Sequence, residues 1–299
     1  MSEPSNPPAS AAELLKEGVA HLQAGERTLA SAALCEARKH PETRLQAHNL
    51  VERHGLEGGF RPMLGLNCEI APADDIFHFF AGHPTSINPL RDYLADGWRT
   101  LSELMLLLEA VDRPLLKTGR FLEFASGHGR FTRHLVKALG AERVTVSDVV
   151  PDAVDFARAT FGVDGFLSSV SPEALAWEQP YDVVFVLSLF SHLPDRTWAR
   201  WLASLYRAVK PGGLLVFTTH GAEAAQRQNV TLDGQGFFFA PSSESQAIEV
   251  AEYGTTFTSD AFVQRSIAQT LDGAQVLQHA PVHFWNHQDA YVVMKPLQG

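Results

Sequence analysis

Residues 121–135 read FLEFASGHGRFTRHL. An apolar run broken by one acid, Glu123, leads into a loop of small residues and then into text with helical spacing. A strand feeding the N-terminus of a helix has this form. Small residues let backbone approach a ligand closely, and the first N–H groups of the helix favour a carboxylate or phosphate. Outward from this stretch the alternation repeats. VTVSD (144–148) is a strand, Pro151 opens a helix that Gly162 closes, and GFLSS (165–169) is a short strand before a helix start at Ser171-Pro172. YDVVFVLSL (181–189) suits a buried central strand. Trp198, Trp201, Leu202, Leu205 and Val209 share a core stripe of a helix over 195–209, and Pro211-Gly212-Gly213 turns the chain into LLVFTT (214–219). Alternating β and α elements predict a parallel sheet covered on both faces. AQVLQHA (274–280) and DAYVVM (289–294) are strands whose connection is too short for a crossover helix, so they should pair antiparallel.

Upstream, residues 1–10 read as a disordered tail, and residues 11–115 as a helical N-terminal region ahead of a domain over 116–299. Leu14, Leu15, Val19 and Leu22 form one stripe, Gly25 breaks it, and a second helix runs to His40-Pro41. This resembles a single tetratricopeptide-like hairpin, which cannot bury its own face alone. It covers the rest of the chain or serves as a protein-partner or dimer contact. Residues 54–90 are rich in glycine and proline and read as loop. Helical text resumes near Leu90, Thr100 and Glu103 form a capping box, and Leu101, Leu104, Leu108 and Val111 supply a stripe that Pro114 stops.

The 299 residues carry 24 basic and 34 acidic side chains, a formal charge of -10, with 45% hydrophobic residues. This suits a globular chain with a full core and argues against broad phosphate-backbone binding, so no nucleic-acid partner is expected. Cys35 and Cys68 lack ligand-like spacing, so neither a disulfide framework nor a metal site is expected. The opening MSEPSNPPAS is unlike a signal peptide, and no uncharged apolar run approaches membrane-spanning length. No membrane association and a cytoplasmic location are the expectations.

Asp148 ends the second strand about 20 residues after the loop, where an acid accepts both hydroxyls of a ribose. Loop and acid together indicate an adenosine-containing ligand. A dinucleotide fingerprint G-x-G-x-x-G starting at Gly127 would need glycine at position 132, which is threonine. Glu123 would repel a pyrophosphate but welcome an ammonium or sulfonium group.

With these features in place, residues 118–295 resemble the class I S-adenosylmethionine-dependent methyltransferases. FLEFASGHG matches their first motif, VTVSD their ribose strand, YDVVFVLSLFSHL the fourth-strand segment and VKPGGLLVFTTH the turn into the fifth strand. The resemblance implies an α/β, Rossmann-like, seven-stranded, mostly parallel sheet with an antiparallel last strand, here preceded by an N-terminal helical segment. It implies S-adenosyl-L-methionine as cofactor and methyl transfer as the activity. Glu123 would hold the methionine ammonium, while Ala125, Ser126, Gly127 and Gly129 line methionine and ribose with backbone. Asp148 would bind the ribose, with Val149 beside the adenine. Ser168 and Ser169 stand where the family often has an acid near the adenine amino group. Leu187 and Ser188 would lie near the methionine and the transferred methyl. Ala125 replaces the usual first glycine, at little cost if the backbone there is extended, because only a positive φ demands glycine.

A methyl acceptor with an oxygen or nitrogen nucleophile of high pKa wants a general base, most often histidine. His220, His192 and His287 are the catalytic candidates, with His283 weighed beside them, and His128 is read as shaping the cofactor site. The long segment 221–258 contains Phe237, Phe238, Phe239 and Tyr253, candidates to line an acceptor pocket or to pin the insertion to the core. Tyr93 and Trp98 are candidates to close over the cofactor. The expected function is methyl transfer to a small-molecule acceptor. The alternative is a non-catalytic S-adenosylmethionine-binding protein whose N-terminal helices dock a partner.

Overall fold

A computed structural model describes residues 9–177, 180–241 and 252–297. The chain divides into two compact units, Met1–Tyr93 and Leu94–Gly299.

The first unit is helical: α1 (Ala11–Gln23), α2 (Arg27–Ala37), α3 (Arg44–Arg53), the single turn α4 (Arg61–Leu64) and α5 (Asp75–Gly82). Ser10 and Glu13 cap α1 reciprocally. Gly18 lets α1 approach α2 closely, since a Cβ there would stand 2.6 Å from the Leu34 side chain. Ala30, Leu34, Ala37, Ala47, Val51 and Leu56 form the core of this unit. The stretch read as loop from 54 to 90 thus contains α4 and α5. Asp74 caps α5 by accepting from the Ile76 and Phe77 N–H groups, and it also accepts the Tyr93 hydroxyl proton at 2.5 Å. The first eight residues of the expected tail lie outside the described residues.

Helix α6 (Pro89–Glu109) begins eleven residues before the expected capping box, so Thr100 and Glu103 sit inside it. Thr100 Oγ1 donates back to Asp96 O at 3.0 Å, and Glu103 pairs with Arg99 at 2.8 Å. A Thr-x-x-Glu pattern mid-helix makes a back-bond and an i,i+4 ion pair instead of a cap.

The second unit continues with β1 (Phe121–Phe124), α7 (Thr132–Leu139), β2 (Val144–Asp148), α8 (Pro151–Phe161), β3 (Asp164–Leu167), β4 (Tyr181–Val186), α9 (Asp195–Ala208) and β5 (Val209–Thr219). It ends with α10 (Ala222–Arg227), β6 (Phe237–Ala240), β7 (Thr255–Thr258), α11 (Asp260–Thr270), β8 (Gln275–Phe284) and β9 (Gln288–Met294). The seven-stranded sheet runs β3-β2-β1-β4-β5-β9-β8. Pairings from β3 to β5 are parallel, and β9 is antiparallel to both β5 and β8. This is the expected Rossmann-like sheet with its antiparallel last strand. Ser171-Pro172 starts only a 3-10 turn.

Alternate side chains of the central strands feed two cores. Leu122, Phe124, Val184, Val186, Leu215 and Phe217 pack with Trp198, Trp201, Leu202 and Leu205 of α9 and with Val263 and Ile267 of α11. Phe121, Val146, Phe185, Leu214 and Val216 pack with Leu101, Leu104 and Leu108 of α6, Leu135 of α7 and Phe161 of α8. Strands covered on both faces read as continuous apolar runs, which is how YDVVFV came to be legible. The strand order reverses between β1 and β4, so the loops leaving those two strands diverge and open a crevice. Among the described residues no helix is long and apolar enough to cross a membrane.

Candidate functional site

At the crevice, Glu123 is the one charged residue of β1, and only 4% of it is exposed. Its Oε2 accepts the Thr132 hydroxyl proton at 2.7 Å, from the first turn of α7. Burial, with the Asp148 charge adding to it, pushes the Glu123 carboxyl up to about 8. A carboxyl group in this state is stabilised as an anion by any cation brought beside it.

Asp148 closes β2, next to β1 in the sheet, and is also buried. Its Oδ2 accepts the Gly127 N–H at 2.8 Å and its Oδ1 the Val150 N–H at 3.0 Å. Burial raises its pKa, and these backbone donors oppose the rise. Asp148 therefore clamps the loop after β1, an arrangement the spacing alone did not reveal. Each oxygen retains a second lone pair for a ligand hydroxyl.

Within the loop, Gly127 has φ +54 and Gly129 φ +81. A Cβ on Gly127 would meet nothing within 4 Å, so the backbone there borders open space; on Gly129 it would run into the Phe161 ring. The first glycine serves conformation and access, the second also packing against α8. Ala125 has φ +59, so the backbone is not extended and alanine is strained by roughly 1–2 kcal/mol. Ser126 ties the loop to β2 by donating its N–H to Ser147 O at 3.2 Å. His128 is buried with its Nε2 3.0 Å from Asp152 Oδ2. Val149 follows Asp148, half-buried, and the Ser168 N–H donates to Asp148 O at 2.8 Å. Ser169 uses its hydroxyl to accept from the Ser171 N–H at 3.1 Å.

These residues fit S-adenosylmethionine. A buried, largely protonated carboxyl group gains from a cation brought beside it, such as an ammonium, and a second acid stands at the end of the next strand. Glycine backbone borders open space between them.

Across the crevice, Leu187 and Ser188 leave β4 half-buried, and Ser188 has φ +62. Strained backbone thus follows both strands that flank the reversal, at Ala125 and Ser188. Beyond them the structure brings together the three candidate histidines: ring centroids lie 6.1 Å apart for His192 and His220, and 4.9 Å for His220 and His287. Burial pushes all three below the usual histidine range, so they are uncharged at neutral pH. For His220, with His287 and His192 adding to burial, the value is about 3.

The insertion supplies the surroundings of these histidines. Strand β7 is stitched to the segment after β4 and to the end of β5: Thr256 N–H donates to Ser191 O at 2.7 Å, and Thr258 N–H to His220 O at 2.8 Å. His192 Nδ1 lies 2.6 Å from Gly254 O, so that nitrogen carries the proton and the lone pair sits on Nε2. Tyr253 stacks on the His192 ring at 4.5 Å. His220 Nδ1 likewise faces Thr256 O at 3.2 Å, and its Nε2 faces the Gln288 amide nitrogen at 3.4 Å. His220 is therefore engaged at both nitrogens, which leaves it no free lone pair with which to take a proton. His283 lies with its Nε2 2.7 Å from Glu103 O on α6, a structural tie. Of the aromatics, Phe237 and Phe239 pack on the main core and Phe238 on the small cluster around Phe257, so they pin the insertion. Residues 242–251 of the insertion lie outside the described residues. Trp98 is 56% exposed.

Sequence reasoning missed Thr132, Thr218 and Gln288. The available signal was a polar residue near the end of β5 for Thr218, at the start of β9 for Gln288 and in the first turn of α7 for Thr132.

Residues 121–213 match the family model described as a methyltransferase domain. Nodulation protein S of Rhizobium tropici is 33% identical over 116 residues, 38% of this chain and 47% of that protein. Ubiquinone biosynthesis O-methyltransferase of Hydrogenovibrio crunogenus is 28% identical over 150 residues, 48% of this chain and 56% of the other. The chain thus spans about half the length of the curated relatives it matches. Among solved structures, magnesium protoporphyrin IX methyltransferase from Synechocystis covers 74% of this chain and 93% of its own, at 14% identity and a TM-score of 0.49. The motif order, the strand order β3-β2-β1-β4-β5-β9-β8 and the family match agree. Residues 121–213 are a methyltransferase domain, set in the mostly parallel sheet that the class I resemblance implies.

Proposed function

We propose that the protein transfers a methyl group from S-adenosylmethionine to a small-molecule acceptor through an oxygen or nitrogen nucleophile. The observation that carries this reading is the pair Glu123 and Asp148, buried at the carboxyl ends of adjacent strands and facing a glycine loop. S-adenosylmethionine, when bound, supplies an electrophilic methyl group on a sulfonium centre. Glu123 then holds the ammonium as a carboxylate, Asp148 accepts the ribose hydroxyls and fixes the loop, and Val149, Ser168 and Ser169 border the adenine. On the acceptor side the uncharged His192 takes the proton of the nucleophile at Nε2, with Nδ1–H held by Gly254 O. His220 and His287 complete an uncharged wall around it.

Incubation with methyl-labelled S-adenosylmethionine and a panel of phenols, carboxylic acids and amines tests the proposal. Label found on a small acceptor supports it. A second reading, cofactor binding without turnover and a partner docked on the N-terminal unit, draws support from exposed apolar side chains there, Met63 at 82% and Ile87 at 89%. Cofactor binding, with label retained on the cofactor against every acceptor class, favours that second reading.

A further inference from the structure

Gln288 opens β9 with only 4% of its surface exposed, and every hydrogen-bonding group of its amide is used. The Ser188 N–H donates to Thr218 Oγ1 at 2.8 Å, and the Thr218 hydroxyl donates to Gln288 Oε1 at 2.6 Å. That orients the amide, and its nitrogen donates one proton to Ser188 Oγ at 2.8 Å and the other toward His220 Nε2 at 3.4 Å. The His220 tautomer is set independently by Thr256 O, which only accepts. The directions of the whole chain are thereby determined. Ser188 Oγ receives a proton from Gln288, so its own proton points away from the amide. Among the described residues no acceptor takes it. Ser188 is half-buried, has φ +62, and leaves β4 beside the crevice.

We propose that Gln288 is a positioning residue of the cofactor site: it turns the Ser188 hydroxyl proton outward, as a hydrogen-bond donor to an acceptor oxygen of the bound ligand. The strongest acceptor oxygens S-adenosylmethionine offers such a donor are those of its methionine carboxylate. The inference rests on the cofactor reading above and deepens it, because Gln288 reaches the ligand only through Ser188. Replacing the amide by a carboxylate of the same shape reverses both bonds. In Gln288→Glu the new carboxylate accepts from Ser188, which must turn its proton inward, and it accepts from His220, which becomes an imidazolium.

The experiment is a double-mutant cycle on S-adenosylhomocysteine affinity, with full-length wild type, Gln288→Glu, Ser188→Ala and the double variant. Nitrogen-15 NMR of the His220 ring and thermal melts accompany it. Gln288→Glu and Ser188→Ala are each expected to weaken binding about tenfold, the worth of a hydrogen bond to a charged group. In the Ser188→Ala background, Gln288→Glu should change affinity less than twofold, while His220 moves from the neutral Nδ1–H form to imidazolium at pH 7. A merely structural Gln288 would lower the melting temperature and weaken binding equally in both backgrounds, which overturns the proposal. So does an affinity of Gln288→Glu within twofold of wild type. Wild type that fails to bind S-adenosylhomocysteine removes the cofactor reading itself, whereas wild-type binding with an additive cycle removes only the role of Gln288.

Discussion

The carboxyl group of Glu123 is raised to about 8 by its burial, and the neighbouring carboxyl of Asp148 pushes in the same direction. Two buried acids on adjacent strands oppose the ionisation of Glu123, and a cationic ligand reverses the preference. At pH 7 Glu123 is mostly protonated without ligand, and an ammonium group beside it draws the value below pH 7. Binding of S-adenosylhomocysteine at pH 7 should therefore release close to one proton, and at pH 9 almost none. Calorimetry in two buffers of different ionisation enthalpy measures this directly. Equal apparent enthalpies in both buffers at pH 7 would remove Glu123 from the ammonium site.

The same group links stability to pH. Its folded value of about 8 lies above the ordinary 4.5, so the folded state binds more protons than the unfolded state between those limits. The stabilising contribution of the protonated form is complete below pH 4.5 and is lost as pH rises through 8. Glu123→Gln should be stabilising by under about 1 kcal/mol at pH 5 and by about 4–5 kcal/mol at pH 9, while cofactor affinity falls. Thermal melts of both proteins at the two pH values check it; an equal difference at pH 5 and pH 9 contradicts the assignment.

Ala125 and Gly129 separate two uses of small residues in one loop. Ala125→Gly relieves a positive φ but gives the unfolded chain more freedom, so its net effect should be a gain of about 0–1 kcal/mol. Gly129→Ala drives a Cβ toward the Phe161 ring at a φ of +81 and should cost about 2–4 kcal/mol. Chemical denaturation compares them, and a destabilised Ala125→Gly would refute the strain argument.

Among the histidines, His192→Gln should lower turnover on a phenolic or amine acceptor by about 100-fold or more, as loss of a general base does, with KM little changed. The lowered pKa of His192 keeps it unprotonated, so activity should persist on the acidic side of pH 6.5. His220→Asn should cost far less, since both ring nitrogens are already engaged. The reverse ranking, read from kcat against pH, would move the base to His220.

The sheet was legible because its strands are short apolar runs between helices that carry their own signals, a start at Pro151 and stops at Gly140 and Gly162. Glu123 and Asp148 were legible for the same reason: each is the one acid of its strand and stands at or next to its carboxyl end. Other features depend on three-dimensional context. The φ of Ala125 follows from the turn between β1 and α7, and side-chain chemistry alone does not report it. Thr100 and Glu103 have the spacing of a cap, yet the helix already runs from Pro89 and continues through them. The β6–β7 pair forms from segments separated by residues 241–254, a separation local pattern does not bridge. Gln288 acquires its importance from Ser188, a hundred positions away in the chain.

The proposed function requires that the loop after β1 and the acid at the end of β2 form an S-adenosylmethionine site. Calorimetric titration of the wild type and Asp148→Ala with S-adenosylhomocysteine, and of the wild type with NAD, tests it most directly. Expected are one S-adenosylhomocysteine per chain, an affinity about 100-fold weaker in Asp148→Ala from lost hydrogen bonds to a charged group, and no heat with NAD. Binding of NAD without S-adenosylhomocysteine, or an Asp148→Ala variant with unchanged affinity, would contradict it.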